Sequence, residues 1–286
     1  MLLDILDVVT TVALLYIIAS GLFVVFGVMS VINLSHGAFI VLGAYTSIVV
    51  TGVAINPWWN FVLAPAVGFV FGAAIEFIVI RRLYARSLDT ILATWGLSII
   101  VVQVITIIFG REAHFSDAPI HGFVELGDLR YSAYRLVIVG IAVALVAALA
   151  IFSRFTEYGL VARAVILNEN LAAALGINTQ RVRLITFSAG AALAAFAGAV
   201  LAPMSSIDPT LGLALVIPAF MIVFVAGPSL VGLLLSATIL GTCQTLVSIY
   251  GNQIVGNLVI VVLAVFLVRM FPRGLTTIAL RAQLGK

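Results

Sequence analysis

Few side chains in this sequence could do chemistry, and they fall into small clusters. Asn33, Ser35 and His36, followed by Gly37, stand between two apolar runs. An amide, a hydroxyl and an imidazole there could line a route for a polar solute, because irregular backbone at membrane depth is tolerated only when buried in protein or facing a watery cavity. The same residues could instead cap two helices at a short surface turn. Residue types alone leave both readings open. His36 has no second donor at helical spacing, so no metal site is read there.

Gly227 and Ser229 make a second small, polar break. Gly227-Pro-Ser229 lacks the Gly-x-Ser-x-Gly elbow of a serine nucleophile, because Val231 takes the last position, and no base accompanies it. His114 and His121, with Glu112, Asp117 and Glu125, read as a solvated loop rather than a metal site. Glu76 is the one acid well inside an apolar run. It stands about one turn from that run's end, so it is read as snorkelling to water near Arg81 and Arg82. The sequence holds no His-Glu-x-x-His and no Gly-x-x-x-x-Gly-Lys-Ser/Thr. No catalytic residue, metal, cofactor or nucleic-acid site is assigned, and any ATP must be bound by another chain.

The elements that position these residues are membrane helices. Of 286 residues, 64% are hydrophobic and 9% charged, against about 25% charged in soluble domains. A water-soluble core is excluded. Lipid leaves the backbone only helices or closed barrels, and the apolar runs are too long and continuous for barrel strands of about ten alternating residues. The fold class is all-α: a polytopic transmembrane bundle with discontinuous helices. Cys243 is the only cysteine, so no intrachain disulfide forms. Asp4 and Asp7 stand where a signal peptide would be basic, so none is expected. The whole chain, 1–286, reads as one membrane domain.

Apolar runs cover 8–28, 38–55, 61–80, 90–109, 136–152, 184–201, 211–226, 230–249 and 254–270, with a polar loop over 111–134. The run at 211–226 contains Pro218 and is marginal for a 30 Å layer. If it spans, an outside N-terminus puts Arg81, Arg82, Arg86, Arg154, Arg163, Arg181, Arg183, Arg269, Arg273, Arg281 and Lys286 inside, 11 of the 14 basic residues. The positive-inside rule therefore favours about nine crossings, N-terminus out and C-terminus in. A Gly-interrupted break followed by an apolar helix occurs at Gly27–Gly43 and again at Gly227–Gly241. Paired broken segments in two halves of a chain point to a transport site. Gly190, Ala194, Gly198 and Ala202 recur every fourth residue and offer a face for close helix approach.

The stretch from about 154 to 184 is the exception to this apolar pattern. Val161, Val165, Leu171 and Leu175 recur at helical spacing with Ala164 and Ala172 beside them. Asn168 and Asn170 interrupt the run, and Asn170 is read as the N-cap of a second short turn ending at Gly176. Two short amphipathic helices at a membrane surface are expected, facing the cytoplasm, where a soluble partner docks.

Phe26-Gly-Val-Met-Ser-Val-Ile-Asn-Leu-Ser-His-Gly-Ala-Phe-Ile-Val-Leu-Gly-Ala-Tyr45 resembles the signature of permease subunits of branched-chain amino acid ABC importers. Gly159-Leu-Val-Ala-Arg-Ala164 and Asn168-Glu-Asn-Leu-Ala-Ala-Ala-Leu-Gly-Ile177 are similar to that family's cytoplasmic coupling loop. Phe187, Leu193-Ala-Ala-Phe-Ala-Gly198 and Pro272-Arg-Gly-Leu275 also fit, in the family's order. The resemblance implies a bacterial inner-membrane permease subunit that moves leucine, isoleucine or valine. Its implied partners are a second related permease, two cytoplasmic ATP-binding subunits, an extracytoplasmic substrate-binding protein and membrane lipid. It assigns ATPase coupling to Glu157, Gly159, Arg163, Asn168, Glu169, Ala172 and Gly176. The residues of the two breaks, Asn33, Ser35, His36, Gly37, Gly227 and Ser229, are read as the translocation pathway. The sequence departs from the family at Val225-Ala-Gly-Pro-Ser-Leu-Val-Gly232, where related permeases have Gly-Gly-x-Gly-Ser/Thr. Urea and short-amide importers use similar permeases, so that cargo is the alternative. A stand-alone secondary transporter is a further alternative, disfavoured because intramembrane acids and bases are scarce.

Overall fold

Small residues decide where the helices of this chain meet. The computed structural model describes residues 1–29, 31–84, 86–126, 129–272 and 274–275. Over these residues the order is α1 (Leu2–Met29), α2 (His36–Gly52), α3 (Asn60–Ile78), α4 (Ser87–Phe109), β1 (Phe123–Leu126), β2 (Leu129–Ser132), α5 (Ala133–Phe155), α6 (Glu157–Leu167), α7 (Glu169–Ala174), α8 (Thr179–Leu201), α9 (Leu211–Ala226), α10 (Leu230–Tyr250) and α11 (Gln253–Met270). Among the described residues, 7 helices are long and apolar enough to cross a membrane, while α2 and α9 are shorter apolar helices. The architecture is polytopic and helical. Arg273, Arg281 and Lys286, which weighed in the expected topology, lie outside the described residues.

Two compact units result. The first comprises 20–119 and 148–216, and α8 is its axis. Gly198 of α8 lies so close to α2 that a Cβ there would collide with the Ile40 carbonyl and come within 2.9 Å of the Ala44 nitrogen. Gly43 of α2 sits directly on the Ala195 carbonyl. On α3, a Cβ at Gly68 would meet the Ala191 oxygen at 2.6 Å, and one at Gly72 would meet the Ala191 Cβ at 2.6 Å. Gly21 of α1 faces Gly190 in the same way, with the Gly190 oxygen 2.5 Å from a built Cβ. The expected small face is therefore real, and it serves three neighbours rather than one. Between membrane helices, which lipid already solvates as well as leucine would, such close backbone packing is a main source of attraction.

In the same unit, His114 departs from the solvated-loop expectation. Its backbone exchanges two hydrogen bonds with Ile207, at 2.9 and 2.8 Å. Its Nε2 lies 3.1 Å from the Phe109 carbonyl oxygen, and its ring meets the Tyr45 ring edge-on. It pins the segment after α4 to the segment after α8.

The second unit comprises 1–19, 120–147 and 217–286. The polar loop expected over 111–134 contains a β-hairpin here, with Phe123 opposite Ser132 and Glu125 opposite Arg130. The hairpin persists because Tyr131 is buried and its hydroxyl hydrogen-bonds to Thr10 Oγ1, at 2.9 Å. Arg135 forms an ion pair with Asp7 and stacks over the Tyr131 ring. Asp7 is thus a structural anchor for α1. At the other junction, the Leu275 N–H donates to the Val225 carbonyl at 3.2 Å. The end of the described chain thereby closes onto the α9–α10 break.

Candidate functional site

The α1–α2 break is built by Asn33. Its side-chain oxygen accepts from the Ser35 N–H at 3.0 Å and from the Ser35 hydroxyl at 2.5 Å. That Asx turn replaces the helical hydrogen bonds lost at the break. The Leu34 N–H donates to Thr94 Oγ1 of α4 at 3.2 Å. Asn33, Ser35 and His36 are exposed by only 2%, 1% and 1%. The surface-turn alternative is thereby overturned: this is a break enclosed by protein. Thr94 is seven residues into α4, so the break sits about 10 Å along that helix from its start. Gly37 follows it because a Cβ there would lie 2.6 Å from the Gly212 oxygen, at the start of α9.

Gly227 and Ser229 belong to the second unit and form the α9–α10 junction there. Gly227 adopts φ +66, a left-handed conformation that favours glycine. Ser229 caps α10, its hydroxyl accepting from the Gly232 N–H at 3.5 Å. Both halves of the Gly27–Gly43 and Gly227–Gly241 echo are thus helix–break–helix elements, one in each unit.

The expected amphipathic pair is α6 and α7, and its caps explain its shape. Thr156 Oγ1 accepts from the Gly159 N–H at 3.0 Å and starts α6. Gly159 is required because a Cβ would lie 2.6 Å from the Phe152 and Ser153 carbonyl oxygens at the end of α5. Exposed Glu157 in the first turn complements the positive end of the helix dipole. Arg163 reaches back to the Gly159 carbonyl at 3.3 Å.

The cap of α7 is Asn168, not Asn170. Its side chain accepts from the Leu171 N–H at 3.0 Å. Asn168 has the extended φ −160 and ψ 101 that a cap needs, whereas Asn170 lies inside the helix. Gly176, at φ +87, turns the chain out of α7. The N–H groups of Gly176 and Ile177 satisfy the Ala173 and Ala172 carbonyls at 3.0 and 3.1 Å.

Beneath the pair lies a small core. Val165, Ala172 and Val182 are buried together, with Val28, Tyr158, Val161 and Ile177 packed against them. Burying each valine contributes about 1.5–3 kcal/mol. Val28 belongs to the last turn of α1, so the α6–α7 pair rests directly on that helix. Through Val28, the pair packs against the helix that precedes the Asn33 break. The outer face of the pair is apolar and exposed: Leu160, Leu167, Leu171 and Leu175 are 63%, 85%, 58% and 74% accessible.

Several residues at this end escaped the sequence reading. Helix α8 begins at Thr179, a full turn before its apolar run, because Asn178 caps it. Arg183 therefore stands on α8, where it pairs with Glu169 of α7 and stacks 4.2 Å over the Tyr84 ring. The Tyr84 hydroxyl donates to Glu76 Oε1 at 2.5 Å. Glu76 is 1% exposed. It does not snorkel; Tyr84 closes over it. Burial, then the hydrogen bond and charge of Glu76, push the Tyr84 phenol far above its ordinary range, so Tyr84 is the donor. Tyr158 donates to the Val182 carbonyl at 2.8 Å and lies 3.1 Å from Thr186 Oγ1. Burial raises its phenol too.

Helices long and apolar enough to cross a membrane, a protein-enclosed helix break and a capped, leucine-faced pair of helices suit a membrane permease. The chain belongs to the family described as branched-chain amino acid transport system / permease component, which it matches over residues 4–269. It is 28% identical over 276 residues to the high-affinity branched-chain amino acid transport system permease protein LivH of Escherichia coli, covering 91% of this chain and 90% of that one. It is 24% identical over 287 residues to a probable branched-chain amino acid transport permease protein LivH of Methanocaldococcus jannaschii, covering 92% and 88%. It is 25% identical over 257 residues to the permease protein BraD of Pseudomonas aeruginosa, covering 83% of each chain. No solved structure matches the chain significantly.

Proposed function

We propose that this chain is the membrane subunit of an ABC importer that carries leucine, isoleucine or valine across the bacterial cytoplasmic membrane, with ATP hydrolysed on separate subunits. The observation that carries the reading is the α6–α7 pair. Its inner face is locked to α1 and α8, and its outer face presents four exposed leucines. A soluble motor pressing on that face moves α1, and α1 leads into the break at Asn33.

Chain 1–286 acts as one permease domain with nine crossings, the N-terminus outside and the α6–α7 pair cytoplasmic. Glu157, Gly159, Arg163, Asn168, Glu169, Ala172 and Gly176 form or support the coupling surface. Asn33, Ser35, His36, Gly37, Gly227 and Ser229 are assigned to the pathway. The partners are a second related permease, two cytoplasmic ATPases and an extracytoplasmic binding protein. The cargo named for the relatives supports a branched-chain amino acid over urea or a short amide.

The test is co-purification followed by uptake into vesicles. A stoichiometric ATPase is expected to accompany the chain, and Leu171→Glu with Leu175→Glu is expected to release it. Vesicles supplied with binding protein and ATP are expected to accumulate leucine, and Gly176 or Glu169 variants to hydrolyse ATP without accumulating it. Leucine uptake without any ATPase, or a label at residue 169 reacting only from outside, would overturn the reading. Uptake of urea in place of leucine would overturn the cargo.

A further inference from the structure

Glu76 is the least explained group in the first unit. It is a buried side chain in the last turn of α3, and among the described residues only one of its oxygens has a partner. Oε1 accepts from Tyr84, while Oε2 is buried with no hydrogen-bond donor among the described residues. A buried acceptor left without a donor is costly, most of all on a carboxylate. Arg183 lies over the Tyr84 ring, its guanidinium carbon 4.2 Å from the ring centroid, and pairs with Glu169 of α7. Glu169, Arg183, Tyr84 and Glu76 therefore form one continuous chain from the coupling pair to the interior of α3. Helix α3 in turn is interlocked with α8 through Gly68 and Gly72.

We propose that Arg183 is a shared cation which exchanges Glu169 for Glu76 when the coupling pair is displaced, with Tyr84 as the guide it slides across. The proposal rests on the transport reading above. In this structure Glu169 of α7 pairs with Arg183, and Oε2 of Glu76 has no donor among the described residues. Displacing α7 by a docked ATPase withdraws Glu169, and Oε2 of Glu76 receives the guanidinium. The exchange alters the α3–α8 contact directly, so these four residues position the helices around the route rather than touching the solute. Arg81, the other cation nearby, is engaged elsewhere, hydrogen-bonded to Gln180 and stacked on Phe77.

The experiment uses the assembled complex in vesicles and reads the stimulation of ATP hydrolysis by leucine-loaded binding protein. Glu76→Gln keeps the shape and removes the charge. Tyr84→Phe keeps the ring under Arg183 and removes only the hydroxyl. Both variants are expected to assemble with a normal complement of ATPase yet to lose stimulation at least about fivefold, the lower end of ordinary coupling between sites. Glu76→Gln combined with Glu169→Gln is expected to cost far less than the two single losses together, since both act on one cation. Full stimulation in both single variants, or strictly additive losses in the double variant, would overturn the exchange. So would loss of assembly in Glu76→Gln with Tyr84→Phe unaffected, which would make Glu76 a folding residue. An unmutated complex that binds ATPase but shows no stimulation would overturn the transport reading itself, and the exchange with it.

Discussion

The Tyr158 hydroxyl donates a 2.8 Å hydrogen bond to the carbonyl oxygen of Val182, joining the first turn of α6 to the first turn of α8 across 24 residues of sequence. That carbonyl lies within α8, where it already serves a helical turn. The tyrosine therefore adds a second donor and ties α6 to α8.

Tyr158→Phe keeps the ring against Phe152 and removes that hydrogen bond. The expected loss is about 0.5–1.5 kcal/mol, the usual net worth of such a bond, read as faster amide exchange over 157–176 with the spans unchanged. The pH dependence follows from the raised phenol. A group whose folded pKa is raised contributes its stability fully below its unfolded value, about 10 for tyrosine, and loses it as pH rises through the higher folded value. Amide protection of α6 is therefore expected to hold from neutral pH up to about 10 and to fall above that. Protection that falls between pH 6 and 8 would contradict this.

Asn168→Ala and Asn170→Ala are expected to differ. The first removes the side-chain oxygen that accepts from Leu171, at a cost of about 1 kcal/mol. In a helix of 6 residues that is enough to fray it. The second changes an exposed position inside the helix and is expected to be neutral or slightly stabilising, since alanine is the better helix former. Amide exchange at Leu171 and Ala172 distinguishes them, and equal effects would mean that the cap has been misassigned.

Gly43→Ala and Gly27→Ala are expected to have opposite signs. At Gly43 the new methyl would strike the Ala195 carbonyl, backbone that cannot yield cheaply. Overpacking of this kind costs about 1–3 kcal/mol. At Gly27 nothing lies within 4 Å of a built Cβ, so alanine there gains up to about 1 kcal/mol of helix propensity. Thermal unfolding of the purified chain in detergent checks both. A Gly43→Ala protein as stable as its parent would mean that α2 and α8 do not meet as described.

What the sequence disclosed here follows from how local each signal is. The apolar runs and the presence of two short helices at 157–174 are written in consecutive residues and were legible, but the stripe read there splits, with Val165 and Ala172 buried and Leu171 and Leu175 exposed. The small face of α8, which repeats every fourth residue, was legible too. The choice between Asn168 and Asn170 was not, because two good caps stood two residues apart and only the backbone angle separates them. Glu76 was misread because distance from the end of a run says nothing about what covers it. Its cover is Tyr84, backed by Arg183 from a helix about a hundred residues later. The hairpin was invisible for the same reason: two strands of 4 residues persist only because Tyr131 finds a partner 121 residues away.

Helix α2 has 17 residues, about 25 Å of helix, a few ångströms short of a hydrocarbon layer near 30 Å. A helix that falls short in contact with acyl chains would thin the bilayer around it. Most of α2 is wrapped by protein instead, so its deficit is made up by its neighbours. Bilayer thickness accordingly has little purchase on the Asn33 junction. It acts chiefly on helices such as α4 and α11, whose side chains lie largely outside the chain's own core.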